Sequence, residues 1–303
     1  MNIQVTCFLD MNLYSTSMWL WSKLSSIKWA DAWEERFYGN TNAVISELST
    51  GKSVRVEVYC ETEKDALVIQ KAWGGSVREV KSQNWVALSN IPRPPIKIRD
   101  KVIITAERDG DEVDRLQREF PSRHLIKMPA EMAFGTGDHA TTSNCLRFIV
   151  DVAQEKAIDS EGSGRDWGVL DLGCGTAVLA IAARMLGASE CEAHDFDPDA
   201  VRVSKENIKL NGVDKIKVLH QDVLDWVPDK QWPVVVANMF STILQKAFPT
   251  IVKSIEPGGD LIVSGILKDQ WDETRLVAEE CGIKFGEEVT KGKWVTARGK
   301  RSV

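Results

Sequence analysis

The sequence predicts an α/β protein in which a mostly parallel sheet is covered by helices on both faces. Two observations support this fold class. Short apolar runs alternate with helical patterns along the second part of the chain, and a glycine-rich turn joins one such run to the next helix. The predicted strands are Val169–Leu172, Glu192–Phe196, Lys217–Leu219, Val234–Ala237 and Leu261–Ser264, with helices at Ala177–Leu186 and Asp199–Leu210.

The first part of the chain predicts a smaller domain of the α+β class. Val54–Cys60 alternates at the period of a strand, and Glu63–Trp73 follows with helical spacing before a pair of glycines. Further short strands are expected at Ser76–Val80 and Trp85–Leu88.

A proline-rich segment, Asn90–Lys97, separates the two parts. It holds three prolines, and proline fixes φ and lacks a backbone donor, so the segment is expected to be an extended linker. We therefore expect an N-terminal domain at residues 1–89, a linker at 90–99 and a second domain at 100–303.

Tryptophan is concentrated in the N-terminal part. Six of the eleven tryptophans lie there, and they have two interpretations: packing in the domain core, or a surface that binds a partner through aromatic side chains. The six are Trp19, Trp21, Trp29, Trp33, Trp73 and Trp85.

Composition and charge exclude several classes of protein. The net charge of −6 argues against a general binder of nucleic-acid backbones, so no direct nucleic-acid binding is expected. The six cysteines are scattered and form no CxxC pair, so neither a disulfide framework nor a metal site is expected. Residues 1–10 lack a basic start and the uncharged run at 11–22 is too short to span a bilayer, so the sequence predicts a cytoplasmic protein without a membrane partner.

The strongest local motif is Val169–Thr176, which reads VLDLGCGT. Gly173 and Gly175 let the backbone turn tightly and approach a ligand closely. The carboxylate of Asp171 would repel a pyrophosphate but attract the sulfonium and ammonium groups of S-adenosylmethionine. These three residues are therefore predicted to bind S-adenosylmethionine rather than a dinucleotide.

Two further acids follow the next strands. Asp195 ends a strand where an acid can bind both ribose hydroxyls, whereas Asp197 and Pro198 are the expected N-cap and first residue of the following helix. Asp222 is a candidate for the adenine amino group, with an ordinary loop aspartate as the alternative.

Asn238 follows a strand of β-branched residues, at the edge where open α/β sheets bind ligands. Its carboxamide can accept a hydrogen bond from a nucleophilic amine and orient the lone pair of that amine. Asn238 is the predicted catalytic residue, and it also belongs to the predicted cofactor site.

The segment Ala133–Thr142, AFGTGDHATT, precedes the glycine turn and is expected to fold over a bound ligand. Thr142 is predicted to contact the methionine portion of the cofactor. His139 is either a proton acceptor or a structural histidine.

Together these segments resemble the ribosomal protein L11 methyltransferases, the PrmA family. In this chain AFGTGDHATT matches the family's AFGTGTHPTT, DLGCGTAVLAIAARMLGA matches DxGCGSGxLAIAALKLGA, and DFDPDAV matches DIDPxA(V/I). Likewise, VVANM matches VVANI, PGGDLIVSGIL matches PGGxLxxSGIL, and KWVTARGKR matches the closing W-x-x-x-x-G-[RK] pattern. The resemblance covers roughly Trp85 to the last residue. This chain departs from the patterns at Asp138, at Ala140 in place of proline and at Ala177 in place of glycine.

The resemblance implies a Rossmann-like class I methyltransferase domain with a mostly parallel seven-stranded sheet and an N-terminal domain that recognises the substrate. It implies that Thr142, Gly173, Asp195 and Asn238 bind S-adenosylmethionine. The expected reaction is methylation of lysine side-chain or N-terminal amino groups of a protein, specifically a large-subunit ribosomal protein. The alternatives are a methyltransferase of the same fold that acts on another protein, a small molecule or nucleic acid, or a module that binds the cofactor without catalysis.

Overall fold

A computed structural model of the chain describes residues 17–37, 42–48, 52–60, 62–81, 94–129, 136–137, 139–163 and 167–303. The chain divides into two compact units, residues 1–91 and 92–303.

The first unit contains a four-stranded antiparallel sheet within its described residues, with strand order β2-β3-β1-β4. Two helices belong to the same unit. The elements are β1 (Ser17–Ser26), α1 (Ala30–Arg36), β2 (Ala43–Glu47), β3 (Ser53–Cys60), α2 (Glu63–Trp73) and β4 (Ser76–Lys81).

Local sequence explains these elements. Alternate residues of β3 are buried, as the period-two pattern predicts. The helix α2 begins at an N-cap, Thr62, whose side chain accepts a hydrogen bond from the Asp65 N–H, and it ends at Gly74, where φ is +68°. The strands predicted at Val54–Cys60 and Ser76–Val80 and the helix at Glu63–Trp73 are confirmed, whereas Trp85–Leu88 lies outside the described residues.

The tryptophans of this unit divide between its core and its surface. Trp21 and Trp33 are buried and their rings lie 6.2 Å apart, and Trp73 meets Trp33 edge to face at 6.0 Å. Trp29 is 54% exposed. Core packing therefore accounts for most of the described tryptophans, and Trp29 remains available to a partner.

The second unit begins with a small three-stranded sheet, order β5-β6-β7, that the sequence patterns did not indicate. Its first strand occupies residues assigned to the linker, and Ile98 in it is fully buried. The isoleucines after the prolines pack into the core of the second unit. Residues 90–93 of the predicted linker lie outside the described residues. The elements are β5 (Ile96–Ile98), β6 (Val102–Thr105), α3 (Asp111–Glu119) and β7 (His124–Lys127).

The main sheet of this unit has seven strands within the described residues, in the order β10-β9-β8-β11-β12-β14-β13. Neighbours from β10 to β12 are parallel, and β14 runs antiparallel to both of its neighbours. The mixed α/β fold is confirmed. The elements are α4 (Ala140–Ser163), β8 (Gly168–Leu172), α5 (Val178–Met185), β9 (Glu190–Asp195), α6 (Pro198–Leu210), β10 (Ile216–His220), β11 (Trp232–Asn238), α7 (Ser241–Ile251), β12 (Ile255–Leu267), α8 (Trp271–Glu280), β13 (Ile283–Lys291) and β14 (Trp294–Arg301).

Two cores lie on the two faces of this sheet. Successive residues of β8 and β11 alternate between them: Val169 and Val236 pack with α4 and α5, and Leu170 and Val235 pack with α7 and α8. Strands buried on both faces account for the continuous apolar runs in the sequence. None of the described helices is both long and apolar enough to cross a membrane.

Candidate functional site

The carboxyl ends of neighbouring parallel strands bring the predicted site residues to one edge of the main sheet. Asp171 lies near the end of β8, Asp195 is the last residue of β9 and Asn238 is the last residue of β11. Since β9, β8 and β11 are adjacent, these residues lie side by side along that edge. This is the edge at which open α/β sheets bind their ligands.

The turn after β8 has the geometry that its glycines require. Gly173 has φ of +69° and Gly175 has φ of +54°, a region that side chains with a Cβ rarely adopt. The N–H groups of Gly173 and Cys174 both donate to the His194 carbonyl oxygen at 2.9 Å, which ties the turn to β9. Ala177 has φ of +60° at the start of α5, which explains why the family pattern has glycine there.

Asp195 is held by backbone donors. Its Oδ2 accepts from the Gly175 N–H at 2.8 Å and its Oδ1 accepts from the Asp197 N–H at 3.0 Å. Burial raises the pKa of this carboxyl group, and the hydrogen bonds act in the opposite direction. The predicted capping role of Asp197 is confirmed, because its side chain accepts from the Asp199 N–H at 2.9 Å.

Asp171 is fully buried, and its two oxygens have different surroundings. Oδ2 accepts from the Ala180 N–H at 3.3 Å in the first turn of α5, while Oδ1 has no hydrogen-bond partner among the described residues. Its pKa is raised to about 7, mainly by burial and in smaller part by the nearby charge of Asp195, while the Ala180 hydrogen bond acts in the opposite direction. A buried carboxylate oxygen without a partner fits a cationic ligand, because a cation would stabilise its charged form.

Asp222 lies two residues beyond the end of β10, close to Asp195. The Gln221 N–H donates to the Asp195 carbonyl oxygen at 2.8 Å, which sets the position of this segment. The Asp222 side chain accepts from the Leu224 N–H at 2.9 Å and so stabilises its own turn. The geometry is compatible with both interpretations of Asp222, the adenine contact and the loop aspartate.

Asn238 meets the first turn of α4. Its Nδ2 donates to the Oγ1 of Thr142 at 3.4 Å, and Thr142 is 1% exposed. This contact joins the predicted catalytic residue to a predicted cofactor residue. With Nδ2 as the donor in this contact, the Oδ1 of Asn238 is an acceptor by its chemistry.

The remaining part of the AFGTGDHATT segment is described only in part. His139 Nδ1 lies 2.7 Å from the Oγ1 of Thr141, and its ring meets Trp294 edge to face at 5.3 Å. These contacts favour the structural role of His139. Residues 130–135 and Asp138 lie outside the described residues.

Sequence reasoning missed the support behind Asn238. The Met239 N–H donates to the Ser264 carbonyl oxygen at 3.0 Å, and the Ser264 hydroxyl lies 2.7 Å from that of Thr296. Ser264 and Thr296 are both fully buried. The PGGDLIVSGIL segment contains Ser264, but its partner lies on β14, and only the pairing of β12 with β14 brings the two together.

Comparison with known proteins gives consistent results. The model of the family described as Ribosomal protein L11 methyltransferase (PrmA) matches residues 22–302. The ribosomal protein L11 methyltransferase of Caldanaerobacter subterraneus subsp. tengcongensis is 31% identical over 78% of this chain and 76% of its own length. That of Methylobacillus flagellatus is 33% identical over 75% of this chain and 69% of its own length.

A solved structure agrees with these relatives. The crystal structure of the ribosomal protein L11 methylase from Lactobacillus delbrueckii subsp. bulgaricus has a TM-score of 0.58 and 25% identity, and the match covers 69% of this chain and 99% of that chain. The resemblance carried by the motifs is confirmed, and the family match extends it from about Trp85 back to residue 22. The prediction of a methyltransferase that uses S-adenosylmethionine is confirmed with it. This chain belongs to the ribosomal protein L11 methyltransferase (PrmA) family.

Proposed function

We propose that this chain transfers methyl groups from S-adenosylmethionine to lysine side-chain or N-terminal amino groups of a large-subunit ribosomal protein. The observation that carries the proposal is the grouping of three features at one edge of the main sheet. These are the buried Asp171 carboxylate, whose Oδ1 has no hydrogen-bond partner among the described residues, the glycine turn that follows it, and the Asn238–Thr142 pair at the end of the neighbouring strand β11. The names of the matched relatives give ribosomal protein L11 as the acceptor in those proteins.

The cofactor residues have separate proposed roles. Asp171 balances the positive charge of the ligand, and the positive-φ glycines Gly173 and Gly175 let the backbone approach it closely. Asp195 retains lone pairs beyond its two backbone hydrogen bonds, and these can accept from ribose hydroxyls. Asp222 lies beside Asp195 and is proposed to reach the adenine amino group. When bound, S-adenosylmethionine supplies a methyl group on a sulfonium, which an amine can displace in line.

Asn238 is proposed to orient the acceptor. The Thr142 hydroxyl fixes the amide so that Oδ1 accepts a hydrogen bond from the amine and directs its lone pair. An unperturbed lysine has a pKa of about 10.4, so the amine must lose a proton before it attacks. Burial of the amine on binding would favour its neutral form, and we therefore expect catalysis by positioning and desolvation, without a covalent enzyme intermediate.

The first unit, residues 1–91, is proposed to recognise the protein substrate, and the second, residues 92–303, to be the class I methyltransferase domain. The exposed indole of Trp29 is a candidate contact, since aromatic side chains dominate protein interfaces. The acidic net charge supports a protein partner over direct binding of nucleic acid. A ribosomal protein substrate would also place the enzyme in the cytoplasm.

The decisive experiment is mass spectrometry of purified large-subunit proteins before and after incubation with enzyme and S-adenosylmethionine. Added masses in multiples of one methyl group on a single ribosomal protein would support the proposal. Labelled methyl transfer into lysate, followed by protease or nuclease, tests the other acceptors. Label that survives protease and is lost with nuclease would contradict a protein acceptor.

A further inference from the structure

Met239 lies between the two halves of the candidate site. It follows Asn238 directly in the chain and is 7% exposed. Its side chain packs against the glycine turn: a Cβ built on Gly173 would lie 2.9 Å from the Cγ and 3.1 Å from the Sδ of Met239. A methyl group at Gly173 therefore has no room while Met239 is in place.

The backbone of Met239 is held from the opposite side. Its N–H donates to the Ser264 carbonyl oxygen, and the next residue of β12, Gly265, has φ of +83°. A Cβ on Gly265 would lie only 2.6 Å from the Met239 carbonyl oxygen. The backbone of Met239 thus sits directly on β12, and its side chain reaches across to the turn after β8.

We propose that Met239 is a positioning residue that sets the separation between the cofactor turn at Gly173 and the amine-orienting Asn238. The inference rests on the proposed function, because it assigns Met239 to the contact between the cofactor side and the acceptor side of that site. The contact with the glycine turn is made by the thioether end of the side chain, through Cγ and Sδ. Met239 acts through its neighbours and does not itself touch the reacting atoms.

Truncation tests the positioning role. In Met239→Ala the glycine turn loses the side chain that packs on it, so the turn can shift. A small displacement of reacting groups lowers the reaction rate strongly. We expect cofactor affinity and kcat each to fall by about tenfold, with substantial recovery in Met239→Ile. The control is Ile251→Ala, a truncation in the same core at the end of α7, which is expected to lower the melting temperature without changing kcat or cofactor affinity.

A double-mutant cycle with Gly173→Ala gives a readout that general destabilisation would not produce. The methyl group that Gly173→Ala adds would clash with the Met239 side chain, and Met239→Ala removes that side chain. The Gly173→Ala change should therefore weaken cofactor binding less in the Met239→Ala background than in the wild type, by at least about threefold.

Cofactor affinity is measured by calorimetry with S-adenosylmethionine and without an acceptor, so it does not depend on the substrate. Additive effects of the two changes, or equal effects of Met239→Ala and Ile251→Ala on kcat, would overturn the positioning role. Coupling in the binding cycle, combined with wild-type enzyme that modifies no ribosomal protein, would leave the positioning role standing and overturn the proposed acceptor.

Discussion

The Nδ2 atom of Asn238 donates to the Oγ1 of Thr142 at 3.4 Å, although the two residues are 96 positions apart in the chain. The contact joins the end of β11 to the first turn of α4. If Asn238 orients the acceptor amine as proposed, this contact holds the carboxamide in place for that role.

Replacement of Asn238 should affect turnover more than cofactor affinity. In Asn238→Ala the amine loses its hydrogen-bond acceptor while Asp171 and Asp195 remain, so kcat is expected to fall by roughly a hundredfold with a cofactor Kd within about threefold of wild type. Labelled methyl transfer gives kcat and calorimetry gives Kd. Equal losses in the two quantities would argue against the orienting role, and Thr142→Val should show a smaller loss of the same kind.

Cofactor binding should release a proton near neutral pH. Burial raises the pKa of Asp171 to about 7, so much of it is protonated at pH 6.5, and a bound cation would lower that pKa and expel the proton. Affinity should therefore rise with pH through this range. Calorimetry in buffers of different ionisation enthalpy measures the released proton, and Asp171→Asn should abolish it. An identical proton release in that variant would contradict the assignment.

The same raised pKa fixes how the stability of the free enzyme depends on pH. Because the pKa of Asp171 is 3.8 in its ordinary state and about 7 when folded, folding takes up a proton between these values. This contribution makes the folded state less stable as pH rises from about 4 to 7, and burial of Asp195 acts in the same direction. Asp171→Asn should flatten the pH dependence of the melting temperature over this range.

Removal of Arg298 should be strongly destabilising. This buried guanidinium donates to both oxygens of Glu155 on α4, at 2.6 and 2.5 Å, and to Asp260 on β12 at 2.9 Å. Asp260 is fully buried, so Arg298→Ala leaves its charge without its main partner and should cost about 3–5 kcal/mol. Arg275→Ala is the control. Its partners are exposed, so this variant should lose less than about 1 kcal/mol of unfolding free energy. Urea unfolding measures the stability of both variants, and similar losses in the two would contradict the stabilising role assigned to Arg298.

Asn211 should be needed to hold β7 against α6. Its Oδ1 accepts from the Lys127 N–H and its Nδ2 donates to the Lys127 carbonyl oxygen, both at 2.8 Å. Asn211→Ala leaves both backbone groups without these partners and should cost about 1–3 kcal/mol. Asn211→Asp should recover only part of this loss, because its carboxylate can still accept from the Lys127 N–H but presents an acceptor to the Lys127 carbonyl oxygen. Hydrogen exchange at the Lys127 amide reports the loss directly, and an unchanged rate would contradict the role.

Local patterns in the sequence predicted those parts of the fold that depend on neighbours along the chain. The run from Val169 to Leu210 was predicted almost element by element, because each strand, turn and helix there has its own apolar period and its own stop signals. The reversed direction of β14 could not be predicted, because it depends on pairing across the sheet. The strand β5 was missed because three residues after a proline pair carry too little pattern.

The candidate site shows the same division. The chemistry of Asp171, Asp195 and Asn238 follows from the residue types and their places after strands. The different surroundings of the two Asp171 oxygens could not be predicted, because they depend on how the turn folds. One oxygen accepts from an amide of α5, and the other has no partner among the described residues. Met239 lies between Gly173, which follows β8, and Gly265 on β12, and these two glycines are far apart in sequence.

The order of the strands divides the site into two consecutive stretches of chain. From β8 the chain proceeds to β9 and β10 on one side, and then returns to β11 and β12 on the other side of β8. Of the proposed site residues, Thr142, Asp171, Asp195 and Asp222 thus precede residue 223, and Asn238 follows residue 237. If the proposed roles hold, we expect changes in the later stretch to alter the choice of amine while the residues of the earlier stretch still hold the methyl donor.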